Sequence, residues 1–409
     1  LGGHVQFSHY KYFDELMVKA LGIDGWLNHQ RESWVWIRDR FIPYPFQNNI
    51  RLLPKQDMWE CLKGIIAQYK TPSQVKPENF KEWIMQTFGE GLANIFMIPY
   101  NFKVWAYPAE MMNYKWIGER VAITDLEKVT HNILYDKEDI SWGPNNTFQF
   151  PKNGGTGSIW LRVAELIGHD FFAFGKEVDQ IDNTRKTIRC SDDTIYSYDN
   201  IINTMPLDIL TTKLTDDKVG LAEIASGLKH SSTHVIGVGL KGKPVEKLST
   251  KCWMYFPESN CPFYRVTVFS NYSPNNVPDI NTQWSLMAEV SESECKPVDN
   301  EKVLEDTIQG MLNTQLINDR NDIVSIWTMK LNYGYPTPST GRDDILQRVI
   351  PELDKQDIYS RGRFGAWKYE VSNQDHSLMQ GVEIINKLEL GINEITYPFP
   401  AVANAMWGK

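Results

Sequence analysis

Cysteine is scarce in this 409-residue chain: five residues, Cys61, Cys190, Cys252, Cys261 and Cys295, with no CxxC pair among them. An odd number of scattered thiols argues against a disulfide framework and fits a reducing compartment, so a cytoplasmic protein is expected. No apolar run reaches the ~18 residues that a membrane-crossing helix needs. Basic residues are outnumbered, 42 Lys+Arg against 51 Asp+Glu, and the net charge of −9 disfavours nonspecific binding to nucleic acid or to anionic membranes. There is no HExxH and no carboxylate cluster, so no metal is expected. A GxSxG nucleophile elbow, an internal repeat and a low-complexity segment are missing as well. Asn145-Asn-Thr147 and Asn271-Tyr-Ser273 match the glycosylation pattern but stand without secretory signs.

What the chain does have is aromatic residues, 12% of the total with 14 Trp and 18 Tyr, in a globular composition of 42% hydrophobic and 23% charged. Such clusters either stack on rings and sugars or fill the core. The length argues for two or three domains or lobes. An amphipathic piece is expected around residues 10–21, and a strand from Ser33 to Ile42. Helical spacing of Met58, Trp59, Leu62, Ile65, Ile66 and Tyr69, and again of Phe80, Trp83, Ile84 and Phe88, predicts short helices between prolines from about 48 to 122. Short strands are expected within 178–204. Longer ones dominate 235–331, interrupted by one helix at 303–316, which predicts an antiparallel sheet lobe.

Several motifs carry chemistry. Gly237-Val-Gly239-Leu-Lys-Gly242 is a literal GxGxxG after a strand, but Lys243-Pro244 follows and no helix opens, so it reads as a strand end and turn. Gly154-Gly-Thr-Gly157 leads directly into a helix and lets backbone approach a ligand closely. Arg361-Gly-Arg363 is a basic turn before Asn373-Gln374-Asp375. The helix opened there is expected to bury Leu378, Val382 and Ile385, leaving polar groups at its N-terminus for carbonyls or phosphates. An ordinary capped helix gives the same string. Arg120 and Arg265, each near Trp or Tyr in tight segments, suit either a diphosphate clamp or two surface ion pairs. His4 is either a cofactor contact or a structural histidine.

These strings, taken in order, resemble the UDP-galactopyranose mutases, in particular their eukaryotic, fungal-like branch. The resemblance rests on Gly2-Gly-His-Val5, Phe7-Ser-His-Tyr-Lys-Tyr-Phe-Asp14, Pro43-Tyr-Pro-Phe-Gln-Asn-Asn-Ile50, Gly118-Glu-Arg-Val-Ala122, Asn260-Cys-Pro-Phe-Tyr-Arg265, Gly334-Tyr-Pro-Thr-Pro338 and the 361–381 segment, and spans nearly the whole chain. It implies an isomerase that interconverts UDP-galactopyranose and UDP-galactofuranose, with FAD, reduced by NADPH, offering N5 as the nucleophile at the anomeric carbon. The implied fold is mixed α/β: a Rossmann-like FAD-binding domain (1–46, 146–229 and 341–409), a helical substrate lobe (47–145) and an antiparallel sheet lobe (230–340). The family opens with a strand, a GxGxxG turn and a helix ahead of its Gly-Gly-His loop, so the FAD-binding domain is expected to be incomplete at its N-terminus.

By matching motif, the resemblance gives Arg120 and Arg265 the departing diphosphate, and Tyr44, Gln47, Phe96, Asn101 and Trp105 the uridine. Asn145, Tyr255, Tyr272, Tyr335 and Tyr369 are expected at the diphosphate and sugar, with Arg31 and Trp253 close by. Gly3 and His4 are expected against the flavin ring, and Gly155, Thr156, Gly157, Val178, Arg363, Asn373, Gln374 and Ser377 at the rest of FAD. The loops of Arg120 and Asn145 are expected to close over substrate. Oligomeric state differs among members, and a homo-oligomer is left open. Two rivals stand: an amine-oxidase-like flavin oxidoreductase, and a truncated, non-catalytic UDP-sugar-binding protein.

Overall fold

The computed structural model describes residues 2–118, 121, 123–139 and 147–405. Its centre is a seven-stranded sheet ordered Ile323–Thr337, Lys229–Lys241, Gln283–Glu292, Arg265–Val268, Trp253–Tyr255, Ser33–Ile37 and Arg40–Pro43. All neighbours run antiparallel except Trp253–Tyr255 and Ser33–Ile37, which pair parallel. The expected single strand over 33–42 is therefore two, joined by a turn at Arg38 and Asp39 with φ of 53° and 55°. Both extend the 229–337 sheet, so this sheet reaches beyond the expected 230–340 segment. The reason is burial: Val35, Trp36 and Ile37 are all at or below 2% exposure, which a long-range partner strand makes possible.

One face of the sheet packs on the helix Val303–Asn313, through Ile308 and Met311 against Val266, Leu286 and Val290. A second core joins the sheet's Val35 and Ile37 to the helices Lys55–Lys70 and Phe80–Leu92. The latter kinks at Gly89 (φ 73°) and runs into a π-turn, Ala93–Met97, and then into the helix Ile98–Trp105. Local π geometry re-aims side chains, and here it presents Phe96 and Asn101 to a cavity. A third core gathers Leu207, Leu210, Leu346, Val349, Ile358 and Trp367 around the parallel strand pair Ile201–Asn203 and Ile358–Ser360. The GxGxxG segment lies within and just past the strand Lys229–Lys241; Gly242 (φ 83°) makes the turn.

The helix Gln374–Leu390 departs from its expected face. Asp375, His376, Gln380 and Ile384 are buried, whereas Leu378 and Val382 are half-buried and Ile385 is 47% exposed. The buried polar groups find partners from distant chain. Asp375 accepts from His9 Nδ1 (2.7 Å) and its backbone N–H (3.1 Å), and Gln380 bridges Gly362 N–H (2.8 Å) and Val371 O (2.7 Å). Satisfied polar groups can occupy a buried face that apolar periodicity alone assigns elsewhere. Among the described residues no helix is long and apolar enough to cross a membrane.

Candidate active site

A cavity of about 930 Å³ lies between the sheet, the helix Ile98–Trp105 and the N-termini of two helices, Gly155–Ile167 and Gln374–Leu390. It is large enough for an extended cofactor and a substrate side by side. One wall is the Gly2-Gly3-His4 loop. Gly3 N–H donates to Glu289 Oε1 (3.0 Å), and its carbonyl accepts from Trp253 Nε1 (3.3 Å). A Cβ on Gly3 would lie 2.8 Å from Thr267 Oγ1, and Gly2 has φ +86°, so both positions require glycine. Thr156 Oγ1 donates to His4 O (3.1 Å), fastening the glycine turn that starts the helix Gly155–Ile167 to this loop.

Arg265 is held rigidly. Its Nε and Nη2 both donate to Glu289 Oε2, at 2.6 and 2.5 Å. Burial pushes the Glu289 carboxyl up, but Arg265, His4 and the Gly3 N–H outweigh it and hold the group at about 2. His4 is lowered to about 4, first by its place deep in the molecule and further by Arg265 and Arg363, with Glu289 opposing, so the imidazole is neutral at neutral pH although its ring is open to the cavity. Burial raises the hydroxyls of Tyr44, Tyr100 and Tyr264, which therefore stay protonated and able to donate.

Aromatic rings form the opposite wall. Phe96 and Tyr100 stack at 5.2 Å, and Tyr100 reaches Tyr255 at 5.4 Å, which meets Tyr44 edge-on at 5.7 Å. Trp105 packs on Tyr335 (5.6 Å) and Tyr369 (4.7 Å). Arg363 lies over the Tyr335 ring (5.0 Å) and donates to Ser372 Oγ (3.0 Å) and Gly334 O (3.2 Å). Arg31 lies over Trp253 (4.9 Å). At the start of the helix Gln374–Leu390, Asn373 makes no side-chain cap bond and lines the cavity with Gln374 and Ser377; Gln374 Oε1 accepts from Trp160 Nε1 (3.0 Å).

The structure thus brings together on one cavity Gly3, His4, Arg31, Tyr44, Phe96, Asn101, Trp105, Thr156, Gly157, Trp253, Tyr255, Arg265, Tyr335, Arg363, Tyr369, Asn373, Gln374 and Ser377. Four expected residues are not on its lining. Gln47 is fully buried in the short turn Phe46–Asn48. Tyr272 is fully buried behind Trp253, against Phe148 and Phe150. Gly155 starts its helix one residue short of the lining, and Val178 begins the strand Val178–Asp182 against the third core. Arg120 and Asn145 lie outside the described residues. Arg361, the other arginine of the basic turn, is 2% exposed and pairs in a fork with Glu394 (2.5 and 2.8 Å), so it is a structural group.

The chain aligns over 99% of its length, and over 86% of the other chain, with the crystal structure of a reduced UDP-galactopyranose mutase, at 48% sequence identity and a TM-score of 0.95. This chain belongs to the UDP-galactopyranose mutase family. Two further solved structures share the fold at low identity. They are a putative protoporphyrinogen oxidase from Exiguobacterium sp. 255-15 (16% identity, 95% of this chain and 87% of that one, TM-score 0.68) and a CLA-producing fatty acid isomerase from P. acnes (10%, 95% and 86%, 0.59). The mixed α/β fold is thus that of a wider group of enzymes. No protein-family model matches the chain.

Set among its UDP-galactopyranose mutase relatives, the chain's cavity contains groups that sequence reading missed: Tyr100, Tyr264, Tyr333 and, above all, Glu289. The signal for Glu289 is a lone carboxylate inside the apolar run Leu286-Met-Ala-Glu-Val290. A charge in a strand buried on both faces needs a partner, and that partner is Arg265. A further buried group, His9, Asp375 and His376, has ligand-type atoms within 4.8 Å of one another beside the cavity. The His9 and His376 rings lie 4.7 Å apart, tilted by 33°, and Asp375 is already engaged by His9, so the group is a hydrogen-bonded unit.

Proposed function

We propose that the chain interconverts UDP-galactopyranose and UDP-galactofuranose. Reduced FAD, when bound, supplies N5 as the nucleophile at the anomeric carbon. One observation carries the reading: in a chain of net charge −9, the fixed charges lining the cavity among the described residues are three arginines, Arg31, Arg265 and Arg363, against one carboxylate, Glu289. That arrangement suits a dianionic diphosphate. A cationic amine substrate would meet a cavity already rich in positive charge, which disfavours the oxidoreductase reading.

The described residues fit a flavin. The Gly2-Gly3-His4 loop and the glycine turn at the start of the helix Gly155–Ile167 bring bare backbone to the cavity, where a flat ring system needs close approach. Thr156, Gly157, Arg363, Asn373, Gln374 and Ser377 would hold it, with His4 and Gly3 against the ring. Arg265, oriented in advance by Glu289, would receive the negative charge that builds on the diphosphate as the bond to the sugar breaks. Neutral His4 accepts or donates a hydrogen bond without competing for that charge. Tyr44, Phe96, Asn101 and Trp105 would hold the uridine, and Tyr255, Tyr335 and Tyr369 the diphosphate and sugar. Arg120 and Asn145 complete the set in this reading, as do Gln47 and Tyr272 from behind the wall, with Gly155 and Val178 on the cofactor side.

The finer features follow the resemblance: the eukaryotic branch, NADPH as reductant, a cytoplasmic setting, and the division into a discontinuous FAD-binding domain, a helical lobe and a sheet lobe. The test is conversion of UDP-galactofuranose by the purified chain with added FAD, reduced by dithionite or by NADPH. Formation of UDP-galactopyranose under both reductants is expected. A flavin-loaded protein that turns over no UDP-sugar overturns the reading, and activity with dithionite alone removes only the NADPH assignment.

A further inference from the structure

One buried contact joins two walls of the cavity and is not used by the chemistry above. Lys103, on the helix Ile98–Trp105, donates from Nζ to Glu258 O and Cys261 O, each at 2.9 Å, and lies 3.5 Å from Cys261 Sγ. Lys103 is 7% exposed and Cys261 5%. The two carbonyls pin the amine against the sulfur. Burial lowers the Lys103 ammonium and raises the Cys261 thiol, against the pull each exerts on the other, so both are drawn towards their neutral forms. The sulfurs of Cys252 and Cys295 meet a backbone carbonyl and a methionine instead, and among the described residues no amine contact is found at Cys61 or Cys190.

We propose that Lys103 and Cys261 form a reversible covalent crosslink, a sulfenamide S–N bond, when the protein meets a peroxide. The neutral Lys103 amine takes the Cys261 S–H proton as the sulfur attacks hydrogen peroxide; the O–O bond breaks, sulfur becomes the sulfenic acid, and the departing hydroxide takes the proton back from Lys103 as one water. The Lys103 nitrogen lone pair then attacks that sulfur. The S–O bond breaks, and the departing hydroxide takes a proton from nitrogen as a second water. Thiol, amine and one peroxide thus give the crosslink and two waters, with the two electrons coming from sulfur. Two molecules of a small thiol reverse it and become a disulfide. The oxidant source rests on the flavin reading above: reduced flavin in air converts dioxygen to hydrogen peroxide. Val104 and Trp105, which follow Lys103 in the chain, and Tyr264, three residues after Cys261, line the cavity, so peroxide is released against the same two segments that carry the pair. Once bonded, the nitrogen has lost its charge and keeps a single N–H, which no longer serves both carbonyls. The segment from Cys261 to Arg265 then shifts, and activity falls.

The experiment treats the purified chain with hydrogen peroxide, digests it without reductant and searches by mass spectrometry for a linked peptide pair containing Lys103 and Cys261. A pair lighter than the sum of its parts by two hydrogens is expected, with a several-fold fall in activity; dithiothreitol should reverse both. Cys261→Ser and Lys103→Gln should each abolish the pair, but the wild-type result decides without them. Cys261 left as free thiol, or found only as sulfinic or sulfonic acid beside unmodified Lys103, overturns the proposal. A pair heavier by one oxygen overturns the sulfenic route. A crosslink formed with added peroxide but not during flavin turnover in air supports the site and removes only the flavin as its source of peroxide.

Discussion

Glu289→Gln isolates the charge that organises the cavity. The amide is nearly isosteric, so packing in the strand Gln283–Glu292 is kept while the negative charge goes. Wild-type Glu289 titrates at about 2; against an ordinary glutamate near ~4.3, that difference corresponds to roughly 3 kcal/mol of stability at neutral pH. The variant also leaves a cost behind. One amide face must present N–H either to the Arg265 guanidinium or to the Gly3 N–H, both of which are donors. Because the folded-state value is depressed, the stabilisation is fully present above the unfolded value and is lost as pH falls towards the folded one. The charge therefore contributes about 3 kcal/mol at pH 7, about 2.5 at pH 4 and about 1.5 at pH 3 to the gap between wild type and variant in urea unfolding, on top of a pH-independent part from the mismatched amide. A gap under ~1 kcal/mol at pH 7, or one that does not narrow below pH 4, would refute the account of Glu289 as a charged anchor for Arg265. Turnover offers a second readout: with Arg265 free to swing, the maximal rate should fall more than substrate affinity.

Arg265→Ala should cut turnover by about two orders of magnitude or more, the scale of losing one preorganised donor to developing charge, and near-full activity would sink the assignment. Arg265→Lys should rescue it poorly, because a single ammonium cannot keep the two-point contact with Glu289 and meet a diphosphate as well. Arg363→Ala should weaken flavin retention, measured from absorbance after gel filtration, with little loss of stability; unchanged retention would remove Arg363 from the cofactor site. Gly237→Ala, with its nearest contact at 3.8 Å, and Gly239→Ala, whose Cβ would meet the rotatable Oγ of exposed Ser325 at 2.3 Å, should both be mild in stability. Neither should change flavin binding, and a specific loss of flavin would reinstate the GxGxxG segment as a nucleotide site.

Much of the fold was legible because the period of apolar residues survives in single segments. The strands within 229–337, the helix Val303–Asn313 and the helices from residue 55 to 105 all follow it. The candidate site was legible through its motifs, since most of its side chains sit in rigid, Pro- or Gly-marked turns whose strings are recognisable. Partners brought by the fold were not legible. Glu289 meets Gly3 across 286 residues, and His9 meets Asp375 across 366. The helix Gln374–Leu390 was assigned the wrong buried face for the same reason. Its Asp375 and Gln380 are satisfied by His9, Gly362 and Val371, and no local pattern encodes groups that arrive from elsewhere.

The Arg361-Gly-Arg363 turn puts that limit in its sharpest form. Two arginines stand two residues apart in one string, and chemistry alone gives both the same capacity for an anion. Gly362, at φ +81°, separates their courses. Arg361 turns inward to Glu394, with Tyr397 at 4.8 Å closing over its guanidinium, and burial makes that pair part of the core. Arg363 turns to the cavity, where backbone and hydroxyl oxygens hold it without neutralising it. Full burial together with a carboxylate fork is what takes Arg361 out of a ligand's reach, whereas Arg265 keeps its place on the cavity lining beside Glu289; the partner of Arg361 lies 33 residues downstream. Arg361→Met should therefore be destabilising, by up to ~3–5 kcal/mol, because it leaves the buried Glu394 with Lys387 as its remaining cation, while the fraction that still folds keeps its flavin. Arg363→Ala should show the opposite pair of effects. That crossed result, one variant failing in stability and the other in cofactor retention, would separate two identical side chains by the geometry of the glycine between them.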